Sequence, residues 1–121
     1  MGATQRMKRD ELLKFHETFS KAARDLMTQK NHDYAGDAEH GSQPFANFER
    51  VEALGICSTV QGFLVRMTDK MSRLSSFVES GSLKVKDESV YDTLVDLLNY
   101  SVLLAAYLKD TQISDGSTRQ Q

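Results

Sequence analysis

The stretch from Val85 to Ala106, VKDESVYDTLVDLLNYSVLLAA, restricts the fold more than any other part of the chain. Its apolar residues Val90, Leu94, Val95, Leu97, Leu98, Val102, Leu103 and Leu104 point in nearly every direction around a helix, which suits a helix enclosed by protein. Glu88, Asp92, Asp96 and Asn99 interrupt them at spacings of four, four and three. At about 100° per residue these four fall within roughly 80° of one another, a single polar strip. Like charges packed in a protected place are costly unless protonated, paired with cations or bound to metal. Carboxylates four apart on one helix face can converge on a divalent ion, and hard oxygen ligands suit Mg²⁺ or Mn²⁺. The same spacing also fits an exposed edge, with Asp92 and Asp96 solvated or bridged to Lys and Arg from neighbouring helices. Spacing alone leaves both readings open.

Helical periodicity governs the rest of the chain, and strand alternation is nearly absent. Leu12, Phe15, Phe19, Ala22 and Leu26 recur at three and four, which predicts a first helix over about residues 8–30. KNHDYAGDAEHGSQPFANF breaks that period and reads as a long loop, of the kind that is usually functional. A short helix is expected from Pro44, which a first turn tolerates, to Gly55. The next, over 58–79, places Val60, Phe63, Leu64, Met67, Met71, Leu74 and Val78 on one face and stops at Gly81. The last is expected over 88–109, with Asp87 as its N-cap. The fold class is therefore all-α: a helical bundle of three long helices and one short one, in a single domain over 1–109. Residues 110–121 read as a flexible polar tail.

With 121 residues, such a core is thin and gains from self-association as a dimer or tetramer. A net charge of −2 supplies no general attraction for nucleic acid. The longest apolar run, VLLAAYL, is too short to span a membrane, and MGATQRMKRDELL lacks the apolar region of a signal peptide. A cytoplasmic location is the expectation. One cysteine, Cys57, excludes an internal disulfide and reads as a small core residue.

Other charged residues divide between structural and functional readings. In VRMTDKMSRL, Asp69 and Arg73 are four apart and fit a surface ion pair of about 0.3–0.5 kcal/mol, with Arg66 and Lys70 adding positive charge nearby. If this segment meets the acidic strip, Asp69 becomes a further metal ligand, while Lys70 and Arg73 become phosphate contacts. Lys30 and Asn31 fit a helix end, His32 and His40 a solvated loop, and His16 a polar helix face. Tyr34, Phe45 and Phe48 suit either core closure or stacking on a nucleobase. The chain contains no P-loop, GxSxG, HExxH or Cys–His pattern.

KNHDYAG, NFERVEALG, RMTDKMSRLSSF and KVKDESVYDTLVDLLNY follow one another between residues 30 and 100, within a resemblance that covers about residues 10–108. This set resembles the phage and bacterial nucleotide-modification-associated proteins, an all-helical group similar to the MazG-type nucleoside triphosphate pyrophosphohydrolases. The resemblance implies an oligomeric helical bundle that binds Mg²⁺ or Mn²⁺ through helix-borne acids. It also implies cleavage of a nucleoside or deoxynucleoside triphosphate to monophosphate and pyrophosphate, in a bacterium or a phage-infected host. On that basis Asp69, Glu88, Asp92 and Asp96 are the metal candidates, with Lys70 and Arg73 in catalysis. Lys30, Asn31, Asp33, Tyr34 and Asn99 are the substrate contacts. The chain departs from the MazG pattern in two places: RMTDKMSRL has no ExxE, and Thr93 stands at the Glu position of an ExxD ending in Asp96. A nucleotide-binding module without turnover and a structural helical partner protein remain the alternatives.

Overall fold

Local chemistry sets the clearest helix boundaries. Ser58 begins a helix by accepting a 3.0 Å bond from the Gln61 backbone N–H, and the Gln61 side chain accepts from the Ser58 N–H in return. Gly81 ends the same helix at φ 72°, in the left-handed region that favours glycine. The computed structural model describes residues 5–35, 43–81 and 88–114, with side chains placed for 5–30, 43–81 and 89–112. Its elements are α1 (Arg9–Ala35), α2 (Ala46–Ala53), α3 (Thr59–Ser80) and α4 (Glu88–Ser114). The fold is all-helical, with no strand among the described residues.

Two boundaries differ from expectation. α1 runs on to Ala35, so Lys30 to Ala35 are helical and not part of a loop. Polar residues such as Asn31 and Asp33 lower helix propensity only slightly, and no glycine or proline intervenes before Gly36. α4 likewise continues past residue 109 to Ser114, and Thr111 returns its hydroxyl hydrogen to the Tyr107 carbonyl at 2.9 Å. α2 starts two residues after Pro44, which lies in the turn preceding it. His32, expected in a loop, falls in α1 with its side chain outside the described residues; the proposed Asp87 cap, His40 and the tail from 115 lie outside them altogether.

α4 packs against both α1 and α3, while α2 lies on α3. Phe63 meets Tyr107 and Lys70 meets Asp96, so α3 and α4 run antiparallel. The core is aromatic where α2, α3 and α4 join: Phe48 stacks on Phe63 with centroids 4.4 Å apart, and Tyr100 meets Phe48 edge-on. Phe63 is fully buried, worth about 1.5–3 kcal/mol on transfer from water. The corner between α2 and α3 is tied by Glu52, whose Oε1 accepts from the Thr59 N–H at 2.8 Å and from its hydroxyl at 2.9 Å. These two bonds, the backbone one first, lower the Glu52 pKa against a smaller opposing effect of burial. Gly62 allows the close approach, since a Cβ there would stand 2.9 Å from Val51 Cγ2.

The apolar interior is small. Among the described residues only Ala23, Phe48, Phe63 and Val90 are buried apolar side chains. Leu94 and Val102 on the supposedly enclosed α4 stay exposed, as do Leu64, Met71 and Val78 on α3. Cys57 is half-buried and not a full core residue. No described helix is long and apolar enough to cross a membrane.

Candidate functional site

The polar strip of α4 turns progressively inward along the helix. Asp92 is exposed, Asp96 is half-buried and Asn99 is buried. Asn99 donates from Nδ2 to the Ala23 carbonyl at 2.9 Å, tying α4 to α1 where alanine lets the two backbones approach. Asn99 therefore serves packing as well as facing the site. Asp96 sits where α1, α3 and α4 meet. Its Oδ2 lies 3.0 Å from Lys70 Nζ on α3 and its Oδ1 3.4 Å from Lys30 Nζ on α1. The carboxylate and Lys70 are each about one-fifth exposed, whereas Lys30 is 46% exposed.

Beside this triad lies a cavity of about 60 Å³ lined by Met27, Lys30, Phe48, Arg66, Asp96, Asn99, Tyr100 and Leu103. Arg66 enters it from α3 with its guanidinium carbon 4.8 Å from the Phe48 ring centroid. Stacking holds the planar group in place while leaving its N–H edge for an acceptor. Lys30 and Arg66 line the cavity with Asp96, and Lys70 lies outside the lining, paired with Asp96 Oδ2. The lining thus carries one positive charge in excess, with Lys70 adding another outside it, the electrostatic character of an anion site.

The expected residues are only partly brought together. Lys30, Lys70, Asp96 and Asn99 converge, and Arg66 joins them. Asp69 and Arg73 are both exposed, form no ion pair with one another and do not line the cavity. Thr93 is buried, with its hydroxyl donating to the Ser89 carbonyl at 2.8 Å. Asn31, Asp33 and Tyr34 fall on the last turns of α1 and Glu88 opens α4, but their side chains lie outside the described residues. Among the described residues no three acidic, histidine or cysteine side chains converge on a point where an ion would sit. Asp96 already has an ammonium on each oxygen, so the described acids by themselves do not fit a divalent cation. His16 is exposed on α1, away from this region.

Arg66 is the residue that sequence reasoning undervalued. Its signal is its place on α3 one turn before Lys70, on the helix face that meets α4; that Phe48 arrives from α2 to stack on it depends on tertiary packing. Comparison with protein families, curated proteins and solved structures finds no match for the chain.

Proposed function

We propose that this protein is a nucleoside or deoxynucleoside triphosphate pyrophosphohydrolase of phage or bacterial nucleotide metabolism. It acts in the cytoplasm as a homo-oligomer and yields monophosphate and pyrophosphate. The observation that supports this reading is a small cavity lined by Lys30, Arg66 and Asp96, with Lys70 held just outside it on Asp96 Oδ2. Charge on the triphosphate, and charge growing on departing pyrophosphate, is stabilised best by cations fixed in a partly dry site. Lys70, one-fifth exposed and oriented by Asp96, stands next to the cavity and outside its lining. Arg66 adds a planar fork suited to two phosphate oxygens. The base lies outside the cavity, toward the end of α1, where Asn31, Asp33 and Tyr34 are the candidate contacts.

Mg²⁺ or Mn²⁺ belongs to this reading through the sequence resemblance, with Asp69, Glu88, Asp92 and Asp96 as its acids. Of these only Asp96 reaches the cavity among the described side chains, and lysines hold it there. A nucleotide-binding module without turnover would use the same cavity. Thr93, buried where the ExxD pattern has its Glu, is the observation that favours that second reading.

Thermal denaturation against a panel of ribo- and deoxyribonucleoside triphosphates, with chelator and with Mg²⁺ or Mn²⁺, separates these classes from a structural partner protein. A bound nucleotide at a hundred times its Kd stabilises by about 2.7 kcal/mol. The expected result is stabilisation by at least one triphosphate, with tenfold weaker binding in Lys70→Ala and unchanged binding in Lys21→Ala. Equal binding in both variants would remove Lys70 from the site.

A further inference from the structure

The α3 residues Val60, Leu64, Met67, Met71, Leu74 and Val78 alternate at four and three, an unbroken heptad seam. Val60, Met67 and Leu74 are half-buried within the chain. Leu64, Met71 and Val78, seven apart, are 50%, 56% and 60% exposed. Three large apolar side chains in line, flanked by half-buried residues in the same phase, form the open edge of a helix–helix interface.

We infer that this edge of α3 packs against α3 of a second copy of the chain, in antiparallel orientation. The inference rests on the self-association included in the proposed function and locates its surface. The rim of the open edge, Gln61, Thr68 and Ser75, carries no charge, so two copies meet there without the repulsion that identical charged rims would create. A shallow groove lined by Cys57, Gln61, Leu64, Val65 and Thr68 runs beside the seam and receives the partner's knobs. Antiparallel pairing opposes the two helix dipoles favourably. It also sets the larger Leu64 near the partner's smaller Val78, with the adaptable Met71 near the two-fold axis. With 22 residues, α3 offers about 33 Å of contact length at about 1.5 Å per residue. The cavity with Arg66, and Lys70 beside it, lies on another face of α3 and stays open in this dimer.

Two measurements on the full chain test the inference. By sedimentation at tens of micromolar, wild type and Leu13→Glu, whose side chain is 62% exposed on α1, should be dimeric or larger. Met71→Glu should lose at least one step of assembly while keeping its helical circular dichroism. In a Cys57→Ser background, a short bifunctional maleimide should cross-link Met71→Cys to itself. Val78→Cys should cross-link only when mixed with Leu64→Cys. Self-linking of Val78→Cys would overturn the antiparallel orientation. An assembled wild type that Met71→Glu leaves unchanged would overturn this surface alone. A monomeric wild type would overturn self-association altogether, without bearing on nucleotide hydrolysis.

Discussion

Replacing Asp96 by asparagine keeps the shape of the side chain and removes the one charge that holds Lys30 and Lys70 together. At 3.0 Å and an effective dielectric of about 20, the Lys70–Asp96 attraction is roughly 5.5 kcal/mol before solvation is counted. Desolvation offsets most of it, because both groups are four-fifths buried, and a charged hydrogen bond of this kind nets about 1.5–2 kcal/mol. Lys30 adds less: its contact is 3.4 Å and its side chain 46% exposed, in the range where ion pairs contribute under about 1 kcal/mol. Asp96→Asn also leaves two ammonium groups facing one another, so a total loss of about 2 kcal/mol, or roughly 8 °C in Tm, is expected. Urea unfolding of the double-mutant cycle with Lys70→Met should return a coupling near 1.5 kcal/mol, and the cycle with Lys30→Met a coupling well below that. In chelator, the variant should bind pyrophosphate about tenfold more tightly than wild type, because the internal competitor for the lysines is gone. Equal or higher stability of Asp96→Asn in chelator would refute this account. It would mean that Asp96 repels its acidic neighbours more than the lysines hold it, the condition of an acid cluster awaiting a metal.

Further perturbations bear on the scaffold and on the cavity. Gly62→Ala should destabilise by about 1 kcal/mol, since the 2.9 Å clash with the stiff Val51 outweighs the helix-propensity gain, and adding Val51→Ala should recover it in thermal melts. Glu52 has a folded-state pKa below its ordinary value of 4.5, so the stability it adds is complete above that value and lost as the pH falls through the folded pKa. An acid titration of Glu52→Gln should therefore show a shallower loss of stability below about pH 4.5 than wild type. Asn99→Ala should cost about 1–2 kcal/mol in urea, because it strips the Ala23 carbonyl of a buried donor. Arg66→Lys keeps the charge and loses the stacked fork; if Arg66 grips phosphate, nucleotide affinity should fall severalfold, and an unchanged affinity would separate it from the ligand.

The sequence revealed elements with chemical punctuation more readily than elements without it. α3 was legible at both ends, because Gly81 stops it in a conformation few other residues adopt and Ser58 with Gln61 forms a capping box at its start. The end of α1 was not, since only the absence of a breaker carries the helix through His32 and Asp33. The strip of α4 was visible from spacing, and the alternative that Asp96 is bridged to lysines matches the structure. Which lysines they are was not visible, because Lys30 is 66 positions away and reaches Asp96 only after α1 docks on α4 through Ala23 and Asn99. The i, i+4 spacing of Asp69 and Arg73 invited a pair that the helix leaves apart, as often happens where long exposed side chains gain little by meeting. Arg66 drew little attention because its neighbour Phe48 comes from another helix.

The central claim, that the cavity lined by Lys30 and Arg66, with Lys70 beside it on Asp96, serves pyrophosphohydrolysis, is tested most directly by the products formed from a triphosphate. Purified protein is incubated with each ribo- and deoxyribonucleoside triphosphate and Mg²⁺ or Mn²⁺, and nucleotides, pyrophosphate and orthophosphate are resolved together. The account predicts monophosphate and pyrophosphate in equal amounts from at least one substrate, with the rate reduced tenfold or more in Lys70→Ala, a loss of about 1.4 kcal/mol. Diphosphate with orthophosphate, or saturable binding of every tested nucleotide without any turnover, would contradict it.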